Sequence, residues 1–86
     1  PAFPNPFNPT THFELTIVEN EMIDLFIIDL LGRRIANIYN GFLTKGMYRF
    51  SWNGKGYNGI TLSSGTYFTV ARSANNNEIR KILLLK

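Results

Sequence analysis

Apolar and polar residues alternate along most of the chain, and short Gly- and Asn-rich segments interrupt the alternation every few residues. Between Thr11 and Ile17, for example, Phe13, Leu15 and Ile17 alternate with polar residues. Side chains of a β-strand point in turn to opposite faces of its sheet, so the pattern predicts half-buried strands. With 86 residues, the chain has room for one such domain. We therefore expect a single all-β domain.

About seven short strands, separated by turns, follow from this pattern. The predicted strands cover residues 11–19, 22–29, 34–39, 47–53, 60–62, 66–73 and 78–86. The turn signals between them include Asn40-Gly41, Asn53-Gly54, Asn58-Gly59, Ser63-Ser64-Gly65 and Ala74–Asn77. No two strands are separated by a long helical crossover, so we expect an antiparallel β-sandwich and no parallel sheet.

The region after the second predicted strand allows two interpretations. Four apolar residues between positions 28 and 38 fall near helical spacing, which leaves an amphipathic helix open. Gly32 would cost that helix about 1 kcal/mol, and β-branched residues weakly disfavour it. The preferred interpretation is a turn over residues 30–33, capped by the Asp29 carboxylate, and then a strand from Arg34.

The inward-facing positions of the predicted strands define a candidate core. It consists of Phe13, Leu15, Ile17, Ile23, Leu25, Ile27, Tyr48, Phe50 and Trp52. The last three lie on one face of one strand and are large enough to fill much of a small core. Phe26 and Ile28 fall on the opposite face, so the outer side of their strand is expected to be partly covered.

The opening segment differs from the rest of the chain, because all four prolines lie in its first nine residues. Proline lacks a backbone N–H, so this segment cannot pair as a central strand. We expect residues 1–10 to form an extended, semi-rigid segment that docks on the sandwich through Phe3 and Phe7. Residues 11–86 then form the sandwich itself. A loose linker is the alternative.

The sequence offers no arrangement typical of an enzyme. His12 is the sole histidine, and pairing it with Ser63 or Ser64 as base and nucleophile has no local signature in its support. The segment "GKGYNG" lacks the following helix and the Lys-Ser/Thr pair of a phosphate-binding loop. No acidic calcium loop and no cysteine occur. We expect no catalysis, no cofactor and no metal site.

The charges are unevenly distributed but do not predict a nucleic-acid or membrane partner. The net charge is +3, with five of six acidic residues before position 30 and all nine basic residues after position 32. Arg33-Arg34 and the terminal Arg80, Lys81 and Lys86 form two small, separate groups, whereas a nucleic-acid surface needs clustered cations. No apolar run approaches the roughly 18 residues of a membrane span.

Exposed aromatic residues leave room for a carbohydrate-binding surface. Tyr57, in the loop after the Trp52 strand, is the best candidate, with Tyr39 and Phe42 as further rings. Such a surface needs rings that converge, which the sequence does not establish. The alternative is that Tyr57 packs on its own loop.

Five motifs, spread over the whole chain, carry a family resemblance. They are "PNPFNPTT", "IIDLLGRRI", "WNGKGYNG", "SSGTYF" and "RKILLLK", in this order. Together they resemble the C-terminal type A sorting domain of the bacterial type IX secretion system, and they are similar to the immunoglobulin-like domain of the flagellar hook-capping protein. Asn53 stands where this family often has Asp.

The resemblance implies an immunoglobulin-like or fibronectin III-like sandwich at the C-terminus of a larger exported protein. Such a domain directs an upstream cargo domain through the periplasm and the outer-membrane secretion machinery to the cell surface or medium, and a sortase can then cleave it. By the same resemblance, recognition lies on the last strand and its neighbour. The corresponding residues are Ser64, Gly65, Thr66, Tyr67, Arg80, Lys81 and Lys86.

Alternatives remain open at this level. In the first alternative, the domain is a structural spacer or assembly module. In the second, which is less favoured, it is a glycan-binding accessory module that uses Tyr57. Within the sorting interpretation, a receptor reads the terminal strand by strand addition and charge pairing. Equally, Lys81 and Lys86 protect the apolar "ILLL" segment from aggregation.

Overall fold

Six β-strands make up most of the computed structural model, which describes residues 10–85. The strands are β1 (Thr11–Ile17), β2 (Glu21–Ile28), β3 (Arg34–Leu43), β4 (Gly46–Trp52), β5 (Gly65–Arg72) and β6 (Asn77–Leu84). A single 3₁₀ turn, Tyr57–Gly59, lies in the long loop between β4 and β5. No helix in this part of the chain is long and apolar enough to cross a membrane.

The strands form two antiparallel sheets that face each other. The smaller sheet pairs β1 with β4, and the larger sheet has the order β3-β2-β5-β6. This arrangement confirms the predicted all-β antiparallel sandwich. The segment Ile60–Leu62, predicted as a short strand, forms only one isolated bridge, between Lys55 and Thr61. The loop instead closes on itself through the 3₁₀ turn, so the described residues contain six strands.

The interior contains two adjoining clusters of buried side chains. One consists of Leu15, Ile17, Ile23, Leu25, Leu43 and Ala71, and the other of Ile27, Ala36, Trp52, Tyr67 and Leu84. Three aromatic residues assigned to the core from sequence, Phe13, Tyr48 and Phe50, are half-buried and pack against these clusters. They lie on the smaller sheet, which has only two strands to cover four, so its side chains stay partly open to solvent.

Strand β3 is longer than its sequence predicts, because it continues through Asn40-Gly41. Both residues pair with β2, in the register Asp24↔Asn40 and Ile23↔Gly41. The predicted turn at this point is therefore wrong: the cross-strand pairing that buries Leu43 outweighs the local turn preference. Gly41 has a different role, since a Cβ atom there would lie 2.9 Å from the Tyr39 hydroxyl oxygen.

The turn between β2 and β3 forms as the sequence predicts. The Asp29 carboxylate Oδ1 accepts hydrogen bonds from the backbone N–H groups of Leu31 and Arg33, each 2.9 Å long. Gly32 adopts a φ of +82°, a backbone conformation that glycine favours. These contacts exclude the alternative helix, because residues 30–33 form a closed turn.

The predicted docking of the opening segment is not tested by this structure. Residues 1–9 and Lys86 lie outside the described residues. The docking through Phe3 and Phe7 therefore stays a prediction, as does the division into a segment of residues 1–10 and a sandwich of residues 11–86.

Replacing Trp52 with alanine should be among the most destabilising substitutions. The Trp52 side chain is 3% exposed, and its ring lies edge-on to the Tyr67 ring with 5.2 Å between the two centroids. Its Nε1 donates a hydrogen bond to Lys55 O at 3.0 Å. Emptying an aromatic site of this kind costs about 3–5 kcal/mol. Urea denaturation of Trp52→Ala should therefore show a much lower midpoint, whereas Met47→Ala, on the exposed side of the same strand, should change it little. An unchanged midpoint for Trp52→Ala would contradict the assignment of the buried face.

Candidate functional site

Strand β6 forms one edge of the larger sheet, so one side of its backbone has no strand partner among residues 10–85. Its other side pairs with β5 without interruption, from Gly65↔Leu84 to Arg72↔Asn77. Near the end of β6, Thr11 Oγ1 donates a long hydrogen bond of 3.5 Å to Leu83 O. An edge strand presents N–H and C=O groups that an incoming strand can pair with. This makes β6 a candidate surface for backbone recognition by another protein.

The two cationic residues of β6 lie on opposite faces of the strand. Arg80 shares the inner face with the core residues of β6, and its Nη2 donates to Glu78 Oε2 at 2.8 Å. Lys81 lies on the outer face, between the exposed side chains of Ile79 and Leu83. We call Ile79, Lys81 and Leu83 the outer row. The side chains of Arg80 and Lys81 thus lie on different faces of the larger sheet, although both residues border one groove beside His12.

The predicted recognition residues of β5 divide between the surface and the core. Ser64, Gly65 and Thr66 are exposed or half-buried, and Thr66 pairs with Leu83 of the outer row. Tyr67 is only 8% exposed, and its hydroxyl donates to Ser63 O at 2.7 Å. The structure thus gives Tyr67 a packing position and leaves Ser64–Thr66 beside the C-terminal end of β6. Lys86 lies outside the described residues.

The sequence analysis missed two exposed leucines that lie across a groove from Ser64–Thr66. Leu30 and Leu31 are 70% and 77% exposed, at the tip of the turn that Asp29 closes. They form one wall of a groove of about 560 Å³ whose other wall includes Ser64–Thr66. The sequence did contain a signal of their exposure, because both apolar residues fall inside a predicted turn and not in a strand.

Tyr57 borders a second cleft, which lies beside β3 at the other edge of the larger sheet. The cleft has a volume of about 420 Å³ and lies between β3 and the loop of residues 53–57; its polar lining comes from Asn37, Ser51, Asn53 and Lys55. We call it the Tyr57 cleft. The Tyr57 hydroxyl donates to Asn37 Oδ1 at 3.3 Å, so the ring is tied to β3 and does not pack only on its own loop.

The other two rings considered for a carbohydrate surface do not join Tyr57. Tyr39 is half-buried and packs against Phe50 with 5.7 Å between ring centroids. Phe42 is exposed near the far end of β3, opposite Met22 of β2, and does not line the Tyr57 cleft. The three rings therefore do not form one stacking surface.

Arg34 connects the Tyr57 cleft to the outer face of the larger sheet. Its Nη2 and Nη1 donate to the two carboxylate oxygens of Asp24 at 2.8 and 3.0 Å, and its Nε donates to Asn37 Oδ1 at 2.9 Å. The guanidinium also lies 3.9 Å from the centre of the Phe26 ring, which explains why this outward-facing phenylalanine is buried. The hydrogen bond from Arg34 holds the pKa of Asp24 below its ordinary value, although partial desolvation opposes the shift.

The residues considered for catalysis do not come together. His12 is exposed on β1, in a groove that it shares with Arg49, Arg80 and Lys81, and neither Ser63 nor Ser64 lines that groove. Within residues 10–85, no group of three or more His, Cys, Asp or Glu side chains is placed to hold a metal ion. The geometry of residues 10–85 thus supports surface recognition and does not pair His12 with Ser63 or Ser64.

A protein-family model matches this chain. The family model described as "secretion system C-terminal sorting domain" matches residues 1–85. A search of curated proteins found no significant match. The matched range spans nearly all of the chain, including every described strand.

The Asp24–Arg34 pair should make stability depend on pH in the acidic range. Because the folded state lowers the pKa of Asp24 from its ordinary value of 3.8, the charged carboxylate stabilises the fold fully above that value. This contribution is lost as the pH falls through the lowered pKa of the folded state. The free energy of unfolding of Asp24→Asn should therefore be lower than that of the wild type by up to about 1 kcal/mol at neutral pH. On acidification, the free energy of unfolding should fall less in this variant than in the wild type.

Urea denaturation at about pH 7 and about pH 2 measures the difference. The matched control is Glu19→Gln, which removes an exposed carboxylate with no ion pair among residues 10–85. That variant should keep the pH dependence of the wild type. Equal pH dependence of Asp24→Asn and the wild type would contradict the stabilising role of the pair.

Proposed function

The chain belongs to the family of C-terminal sorting domains of the type IX secretion system, and from this premise we propose that it acts as a non-catalytic export signal read on its surface by the secretion machinery. Membership of the family implies a larger cargo chain, and it implies export to the cell surface or the extracellular space. The family match over residues 1–85 is the observation that carries the proposal.

The reading surface that we propose is the outer row of β6 together with Ser64–Thr66. Lys81 supplies a cation between two exposed apolar side chains, and β6 adds a backbone edge that pairs with no other strand among residues 10–85. Strand addition along such an edge gives affinity, and the alternating side chains give specificity. In the free protein, the same lysine discourages edge-to-edge pairing between copies. One residue therefore serves both interpretations that the sequence left open.

The two leucines at the tip of the β2–β3 turn extend this surface. Leu30 and Leu31 stand across a groove from Ser64–Thr66. A hydrogen-bonded turn already fixes the backbone that carries these hydrophobic side chains. They therefore lose little conformational entropy when a partner covers them. We include them in the proposed contact with the machinery. Removal of the domain by a sortase after export belongs to the same proposal.

Export of a reporter tests the proposal directly. The 86-residue chain is fused behind a reporter protein in a host with a type IX system, and reporter in the medium and on the cell surface is quantified. Trimming residues 81–86 should abolish export. Lys81→Glu should reduce it strongly, because charge reversal on the outer row repels the surface that accepts the wild-type strand.

Lys45→Glu is the matched control, since Lys45 is an exposed lysine in the β3–β4 turn, away from β6. Its export should equal that of the wild type, and thermal melting should show that both charge variants fold. If the trimmed fusion reaches the surface as well as the complete one, the sorting role is wrong. The spacer interpretation would then be favoured.

A further inference from the structure

The Tyr57 cleft has features that neither the core nor the export role requires. Its wall is a rigid loop: Gly56 N donates to Ile60 O at 2.7 Å, and Leu62 N donates to Gly54 O at 3.2 Å. The loop also packs closely on the core, since a Cβ atom at Gly54 would lie 2.9 Å from Leu84 Cδ1. On this rigid support the Tyr57 side chain nevertheless remains 45% exposed.

The orientation of Tyr57 is held by a chain of polar contacts. Asn37 Oδ1 accepts from both the Tyr57 hydroxyl and Arg34 Nε, and Arg34 is fixed by its two bonds to Asp24. The ring therefore lies beside the cleft in a defined position before any ligand arrives. Such preorganisation lowers the entropy cost of binding.

The polar groups left over in the cleft are hydrogen-bond donors. Asn37 Oδ1 already accepts hydrogen bonds from Tyr57 and Arg34. Asn53 Oδ1 accepts a hydrogen bond from Lys55 N at 3.1 Å. Because Arg Nε and backbone N–H groups only donate, these contacts fix both amide orientations. Both side-chain NH₂ groups lack an acceptor among the described residues. Lys55 adds an ammonium group that forms no ion pair within residues 10–85.

An exposed ring, free N–H donors and an ammonium group together favour a ligand with three properties. It has a weakly polar face, hydrogen-bond acceptors around that face and a negative charge. A sugar ring that carries a carboxylate has these properties: its C–H groups pack on an aromatic face, its oxygens accept hydrogen bonds, and its anion pairs with a lysine. A nucleic-acid strand fits less well, because its phosphates require several free cations. Among residues 10–85, Lys55 is the one cation that lines the cleft, and the nearby Arg34 is neutralised by Asp24.

We propose that the Tyr57 cleft binds acidic carbohydrate, with the Tyr57 ring as the stacking surface, Asn37 and Asn53 as donors, and Lys55 as the partner of the carboxylate. This activity is independent of export, so the outcome of the secretion assay does not bear on it. A single stacking ring and a cleft open to solvent predict weak binding to each sugar unit, with a Kd of about 1 mM.

Titration of the ¹⁵N-labelled 86-residue chain with trigalacturonic acid tests the proposal, using maltotriose as the neutral trimer and AMP as the nucleotide probe. Up to about 10 mM trigalacturonic acid should progressively shift the side-chain NH₂ signals of Asn37 and Asn53 and the backbone signal of Tyr57. Maltotriose should bind about tenfold more weakly, because it lacks the charge-assisted contact with Lys55. The absence of shifts with trigalacturonic acid, or tighter binding of AMP, overturns the proposal.

Three variants assign the contacts. Tyr57→Ala should abolish the shifts, whereas Lys55→Gln should weaken binding of the acidic trimer about tenfold, to the level of maltotriose. Phe42→Ala removes an exposed aromatic ring outside the cleft and should bind as the wild type does. Thermal melting confirms that each variant is folded. Binding retained in folded Tyr57→Ala overturns the stacking role, and binding of the acidic trimer unchanged in Lys55→Gln overturns the acidic class of ligand.

Discussion

The Trp52 indole joins the two sheets, and both candidate surfaces depend on it. It extends from the smaller sheet into a cluster that contains one buried residue from each strand of the larger sheet: Ile27, Ala36, Tyr67 and Leu84. Its Nε1–H also fixes Lys55 O at the start of the long loop. The position of the C-terminal end of β6, through Leu84, and the wall of the Tyr57 cleft, through Lys55, therefore follow from one buried side chain.

The domain separates its two proposed recognition tasks in space. The outer row of β6 lies at one edge of the larger sheet, and the Tyr57 cleft lies beside β3 at the other edge. The first surface combines apolar side chains with a cation and a backbone edge that has no strand partner among residues 10–85, as strand addition requires. The second has a fixed ring and free donors, as a small polar ligand requires. The two proposed surfaces use different contact residues, but Arg34 borders the groove beside Ser64–Thr66 and also supports Tyr57 through Asn37.

The sequence predicted more of the fold than of the sites. Alternation located the strands, and the Asp29 turn formed as expected, because both depend on neighbours within a few residues. The Asn40-Gly41 turn failed, because pairing of β3 with β2 outweighed the local preference. The candidate sites depend on contacts between distant segments. Tyr67, which the family resemblance places among the recognition residues, is therefore found buried, and the exposed Leu30 and Leu31 were overlooked.

The sequence by itself determined the class of fold and the family, because period-two alternation and ordered motifs are properties of the chain that need no third dimension. Only the tertiary structure decided which residues of distant segments come together. It buried Tyr67 of the larger sheet against Trp52 of the smaller sheet, because the two sheets pack face to face. It also brought Tyr57 to Asn37 across 20 positions, because packing around Trp52 folds the loop back onto β3.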